Sequence, residues 1–129
     1  MNSKPRLMVV DNEIDVCNFV KSFFEIRGFE VVGVLNGDEA MKNLDAVKPD
    51  VVILDVIMRR NDEGLEFLPK IKKKLPDVKV IMITGVDDKD VIEQCKKLGA
   101  DDYITKPLVL EYLESTVMGK VKNLSRVKH

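Results

Sequence analysis

The stretch VVILDVIMRRNDEGLEF, Val51 to Phe67, runs four apolar residues into Asp55 and almost at once into Arg59 and Arg60. A short, continuous apolar run rich in β-branched residues reads as a strand buried on both faces. Ending such a strand on a carboxylate is costly unless the charge has a partner or a use. The same pattern recurs along the chain: LMVV (7–10), EVVGV (30–34), VKVIMI (78–83) and a weaker DYIT (102–105) are further strand candidates. Each is followed by helical periodicity. Val16, Val20 and Phe23/Phe24 precede the stop signal Gly28, and Ala40, Leu44 and Val47 follow an Asn36/Glu39 capping box. Leu65, Leu68, Ile71 and Leu75 mark a third helix, Val91, Cys95 and Leu98 before Gly99 a fourth, and Leu110, Leu113, Val117, Val121 and Leu124 a fifth. Pro69 is tolerated where a helix still has free N–H groups, which puts the start of the third helix near Glu66.

Five βα units of this length predict an α/β fold, a doubly wound (βα)5 sandwich with right-handed crossovers. The parallel five-stranded sheet is expected in the flavodoxin-like order 2-1-3-4-5. No linker, repeat or low-complexity segment interrupts the series. The 129 residues, 45% of them hydrophobic, suffice for one domain with a real core and need no metal or disulfide staple. A single domain over 1–129 is therefore expected, with no output domain in the chain. A balance of 21 basic against 22 acidic residues argues against a nucleic-acid surface. Cys17 and Cys95 stand apart, without a CxxC or Cys/His cluster, and read as core thiols in a reducing compartment. The N-terminus has no apolar signal region, and no run approaches a membrane span, so a soluble, cytoplasmic protein is expected.

In such sheets ligands bind beyond the carboxyl ends of the strands. The residues found there are Asp11, Asn12 and Glu13 after the first strand, Asn36 and Gly37 after the second, Asp55 after the third, Thr84 and Gly85 after the fourth, and Thr105, Lys106 and Pro107 after the fifth. Neighbouring first and third strands bring Asp11 and Asp55 together, with Thr84 and Lys106 arriving from the other side. Two close carboxylates repel unless a cation lies between them. A hard divalent ion, Mg²⁺ or Mn²⁺, meets that need with oxygen ligands, and a lysine and a hydroxyl facing it are the donors a phosphoryl group wants. Asp55 then reads as a nucleophile toward phosphorus.

The segments VVDNEIDV, VVILDVIM, VIMITG and DDYITKP together resemble the response-regulator receiver domain of two-component signalling, over essentially the whole chain. The resemblance implies that Asp55 accepts a phosphoryl group from a sensor histidine kinase or phosphotransfer protein, with Mg²⁺ required. It implies a metal pocket of Asp11, Asn12, Asp55 and the backbone carbonyl of Ile57, and a Lys106 that pairs with the phosphoryl oxygens ahead of a cis Pro107. Thr84 and Tyr103 would act as the switch, reshaping the face of the fourth helix, fifth strand and fifth helix for an output domain, a downstream protein or a second copy. The chain would be a phosphoacceptor that catalyses its own phosphotransfer, not an enzyme acting on other substrates.

Three departures from the family pattern stand out. Asn12 replaces the second of two adjacent acids, which predicts weaker Mg²⁺ binding; substitution by Glu13 is disfavoured, because its place at a helix start is expected to turn it elsewhere. The loop MRRNDEG lacks the usual proline, so Arg59 and Arg60 either steer a phosphodonor or offset Asp62 and Glu63. Ile57 and Val86, at the positions that tune lifetime in the family, are apolar, which predicts slow self-dephosphorylation. The lysine run KIKKKLP (70–76) reads as a solvated helix face. Three competing readings bracket this one. A haloacid-dehalogenase-like phosphatase needs an acid where Ile57 stands, and a flavodoxin needs Gly, Ser or Thr where the acidic turn DNEID stands. A degenerate receiver that only binds proteins is favoured by Asn12 and the altered loop and opposed by Asp55, Thr84 and Lys106.

Overall fold

The computed structural model describes residues 4–57, 63–85 and 89–126. Expectations for Arg59, Arg60, Asp62 and Val86 lie outside the described residues. Strands β1 (Arg6–Val10), β2 (Glu30–Val34), β3 (Val51–Asp55), β4 (Lys79–Thr84) and β5 (Asp102–Thr105) form one parallel sheet in the order β2-β1-β3-β4-β5, as expected. The register sets Val10 beside Leu54, Asp55 beside Ile83 and Thr84 beside Thr105, so the carboxyl ends of four strands share one edge.

Alternate residues of each strand feed two cores, which is why the runs are apolar without interruption. Leu7, Val9, Ile53, Ile81, Ile83 and Ile104 face helix α1 (Ile14–Ile26), where Val20 and Phe24 are buried with them. A fifth helix, α5, covers the same face with Leu113, Val117 and Val121; it runs as an α-helical turn Leu110–Tyr112, a π-helical stretch Leu113–Val117 and an α-helical segment Met118–Arg126. Met8, Val10, Val52, Leu54, Val80 and Met82 face the other way, toward α2 (Gly37–Val47), α3 (Glu63–Lys74) and α4 (Lys89–Lys97). On that side Ala40, Leu44, Phe67, Leu68, Ile71 and Cys95 are buried.

The helix ends follow local chemistry. Asn36 caps α2, its side-chain oxygen accepting the Glu39 N–H at 2.8 Å. The return bond runs from the Asn36 amide to Glu39 Oε1 at 3.1 Å, rather than from the backbone. Gly28 and Gly99 end α1 and α4 at φ of 95° and 102°, a conformation that side chains disfavour.

The start of α3 corrects the sequence reading. The helix begins at Glu63, three residues before the expected Glu66, and takes Pro69 into its interior. Gly64 explains this: its N–H donates to the Val56 carbonyl at 2.8 Å, and a Cβ there would lie 2.0 Å from the Asp55 carbonyl oxygen. The helix can therefore start against β3 itself. Burial of Phe67, Leu68 and Ile71 offsets the roughly 3 kcal/mol that an interior proline costs.

The lysine run is also less free than a solvated face. Lys72 bonds the Val78 carbonyl at 2.9 Å and pairs with Asp101 at 2.5 Å, and Lys74 faces Asp45 at 3.4 Å. Among the described residues no helix is long and apolar enough to cross a membrane.

Candidate functional site

Asp55 is the last residue of β3, and its carboxylate stays buried although it ends the strand. Its Oδ1 accepts the Ile57 N–H at 3.1 Å, and its Oδ2 accepts from Lys106 Nζ at 2.8 Å. Asp11 directly follows β1, is fully buried, and is tied to the neighbouring strand by its N–H bond to the Val34 carbonyl at 3.2 Å. Its Oδ1 accepts the Glu13 N–H at 2.9 Å. The side chain thus closes a local turn and does not cap α1, whose N-cap is Glu13. The buried Cys17 thiol donates to the Asp11 carbonyl at 3.3 Å, pinning the turn from below. Burial, and secondarily the Asp11 charge, push that thiol up to about 11, so it stays protonated at neutral pH.

Lys106 leaves β5 ahead of a cis peptide to Pro107, as expected. Its ammonium meets three carboxylates: Asp55 at 2.8 Å, Glu13 at 3.0 Å and Asp11 at 3.3 Å. Burial alone would lower the lysine's proton affinity, but the hydrogen bonds to Asp55 and Glu13 outweigh it and hold the ammonium well above the usual lysine range. The Asp55 carboxyl is pushed up to about 6, first by burial and then by the charge of Asp11, against the opposing hydrogen bond from Lys106. Burial therefore contributes more than the carboxylate repulsion that the sequence suggests.

Asn12, Glu13, Ile57, Thr84, Gly85 and Lys106 line a cleft of about 400 Å³ over Asp55. Asn12 is exposed at its mouth. Glu13 corrects an expectation: it turns into the cleft toward Lys106 instead of away from it, because its side chain makes no cap bond to α1. Thr84 lines the same cleft, but its hydroxyl is directed to the Ile104 carbonyl at 3.5 Å rather than to Asp55. Tyr103 is half-buried against the α2–α3–α4 core. Lys120 from α5 lies 5.1 Å from its ring centroid and donates to its carbonyl at 2.6 Å, a contact that no sequence spacing signals.

The arrangement gathers the carboxylates of Asp11, Glu13 and Asp55 around Lys106, with the side-chain amide of Asn12 beside them. Among the described residues Asp11 Oδ2 is buried and accepts no hydrogen bond, with the Lys106 ammonium 3.3 Å away. Among the described residues no three His, Cys, Asp or Glu side chains form a metal cage. The oxygen-only donor set suits a hard divalent cation that retains part of its water shell.

The model of the response regulator receiver domain family matches residues 7–118. The chain is 40% identical over 114 residues to the chemotaxis protein CheY of Listeria monocytogenes, covering 84% of this chain and 95% of CheY. It is 33% identical to the alkaline phosphatase synthesis transcriptional regulatory protein PhoP of Bacillus subtilis, covering 83% of this chain but 43% of PhoP. The chain thus spans nearly the whole of some relatives and under half the length of others. The structure of the response regulator TrrA from Thermotoga maritima, in complex with Mg²⁺-BeF, superposes with a TM-score of 0.78 at 31% identity, over 93% of this chain and 98% of TrrA. With the CheY-like fold, the cleft at the strand ends and this family match together, the chain belongs to the response regulator receiver domains of two-component systems.

Proposed function

We propose that Asp55 is the phosphoacceptor of a receiver that is charged by a sensor histidine kinase or a phosphotransfer protein. The observation that carries this is the Asp55 carboxylate itself, buried at a strand end yet open to a cleft, with an ammonium 2.8 Å away. One Asp55 oxygen attacks phosphorus as the P–N bond of a phosphohistidine breaks, and the imidazole leaves with the electron pair. Lys106 passes from carboxylate to phosphoryl oxygens without leaving the site. Asp11, Asp55, Asn12 and the Ile57 carbonyl would hold Mg²⁺, which when bound would neutralise charge developing on the phosphoryl oxygens. The structure of TrrA in complex with Mg²⁺-BeF supports that ligand class.

Phosphorylation adds roughly −1.5 to −2 charges and strong acceptor oxygens. Thr84, whose hydroxyl holds only a long contact to Ile104, is drawn toward the new group. Tyr103 follows, and the α4–β5–α5 face changes its fit to an output domain, a downstream protein or a second copy. The chain acts as one receiver domain over 1–129, in the cytoplasm.

Intact mass after incubation with acetyl phosphate or a phosphorylated kinase tests the core of this reading. Wild type should gain one phosphoryl group in a Mg²⁺-dependent manner and Asp55→Ala none; equal uptake by the two would sink it. Ile57, exposed and apolar beside Asp55, orients no hydrolytic water, so the phosphorylated state should be long-lived. Its decay should quicken in Ile57→Asn, and an unchanged half-life would remove Ile57 from that role. A second reading, a receiver that binds partners without phosphorylation, is favoured by the neutral Asn12 and by the altered sequence MRRNDEG after Asp55.

A further inference from the structure

Lys106 is held by three carboxylates, and one of them has no part in the chemistry just described. Glu13 Oε1 lies 3.0 Å from Nζ, nearly as close as Asp55. Its backbone is fixed by the N–H bond to Asp11 Oδ1 at 2.9 Å, while its side chain is free of any capping bond to α1. The carboxylate bridges the β1–α1 turn to the β5–α5 turn across the open side of the site. It lines the cleft over Asp55 and also the adjoining groove of Val16, Phe19, Pro107 and Leu108. Asn12 between it and Asp11 is neutral. The negative charge two residues after Asp11 therefore lines the cleft that an incoming phosphodonor would enter.

We propose that Glu13 is a specificity-determining residue, a fixed negative charge at the cleft mouth that slows dianionic phosphodonors more than phosphoramidate-type donors of lower net charge. The inference rests on Asp55 being the phosphoacceptor. With acetyl phosphate, the bond from an Asp55 oxygen to phosphorus forms as the P–O bond breaks, and acetate leaves with the electron pair. With phosphoramidate, protonated on nitrogen, the P–N bond breaks and ammonia leaves with the pair. A dianion meets about twice the repulsion of a monoanion from the same carboxylate. For one unit charge at about 6 Å in well-solvated surroundings this slows a monoanion about threefold and a dianion about tenfold. Release of Lys106 in a Glu13 variant acts on both donors alike and cancels in their ratio.

The test measures initial phosphorylation rates by intact mass, with both donors and saturating Mg²⁺, for wild type, Glu13→Gln and Glu13→Asp, with Asp55→Ala as the blank. The ratio of acetyl phosphate to phosphoramidate rates should rise about threefold in Glu13→Gln and stay near wild type in Glu13→Asp, which keeps the charge. The difference should vanish in about 1 M salt, where the screening length falls to about 3 Å. An unchanged ratio in Glu13→Gln, or a raised ratio that persists at high salt, overturns the assignment while Asp55-dependent uptake leaves the phosphoacceptor standing. Absence of Asp55-dependent uptake by wild type from either donor overturns both.

Discussion

Two residues of the cleft, Asp55 and Asn12, bear most directly on how tightly it would hold a cation. Asp55 enters the folded protein with a carboxyl pushed up to about 6, from an ordinary value of 3.8. Between those values the folded chain holds a proton that the unfolded chain has released, so this group's contribution to stability is full below about 3.8 and is lost as pH rises toward 6. A bound cation reverses the preference, because it favours the carboxylate. Apparent Mg²⁺ affinity should then fall by about tenfold for each pH unit below 6, one proton competing for one oxygen ligand. Asn12 contributes an amide where a second acid would add a full charge, so Asn12→Asp should raise Mg²⁺ affinity by about tenfold at neutral pH. Calorimetric titrations of the two proteins from pH 5 to 8 (a range of about three units) check both statements. A flat pH profile removes Asp55 from the ligand set, and no gain in Asn12→Asp removes position 12.

At the scale of elements, most of the chain was legible and one joint was not. The alternation of apolar runs with helical periodicity located all five strands within a residue or so, since strands buried on both faces leave little ambiguity. Asp11, Asp55, Thr84 and Lys106 were found together because a parallel sheet collects the residues after its strands at one edge. The start of α3 was missed because proline chemistry was weighed alone, whereas the fit of Gly64 under the Asp55 carbonyl is a matter of distance across the fold. Glu13 was misdirected for the same kind of reason: its partner Lys106 lies 93 positions away in sequence. The glycines give a paired prediction. Gly64→Ala forces a Cβ to within 2.0 Å of backbone and should lower stability by about 3 kcal/mol or more. Gly119→Ala, in the helical segment Met118–Arg126 with nothing within 4 Å of the new atom, should raise it by about 0.5–1 kcal/mol. Chemical denaturation of both variants checks the contrast, and similar midpoints would contradict the packing described at the foot of α3.

Across the whole molecule, the site is assembled from parts of unequal standing in the sheet. β3 is hydrogen-bonded on both sides and covered on both faces, whereas β5 is an edge strand of four residues with a single neighbour. Asp55 stands on the first and Lys106 leaves the second. Backbone amides of Val52, Ile53 and Leu54 should exchange with deuterium only when the whole domain opens, while those of β5 should exchange through smaller, more frequent openings. Exchange rates resolved by residue would show it, and equal protection of the two strands would contradict it. The Asp55 carboxylate thus belongs to the part of the protein that is expected to come apart last. The lysine paired with it leaves a strand that can shift at lower cost, so on the proposed function a covalent event at Asp55 would meet a rigid support on one side and a yielding one on the other.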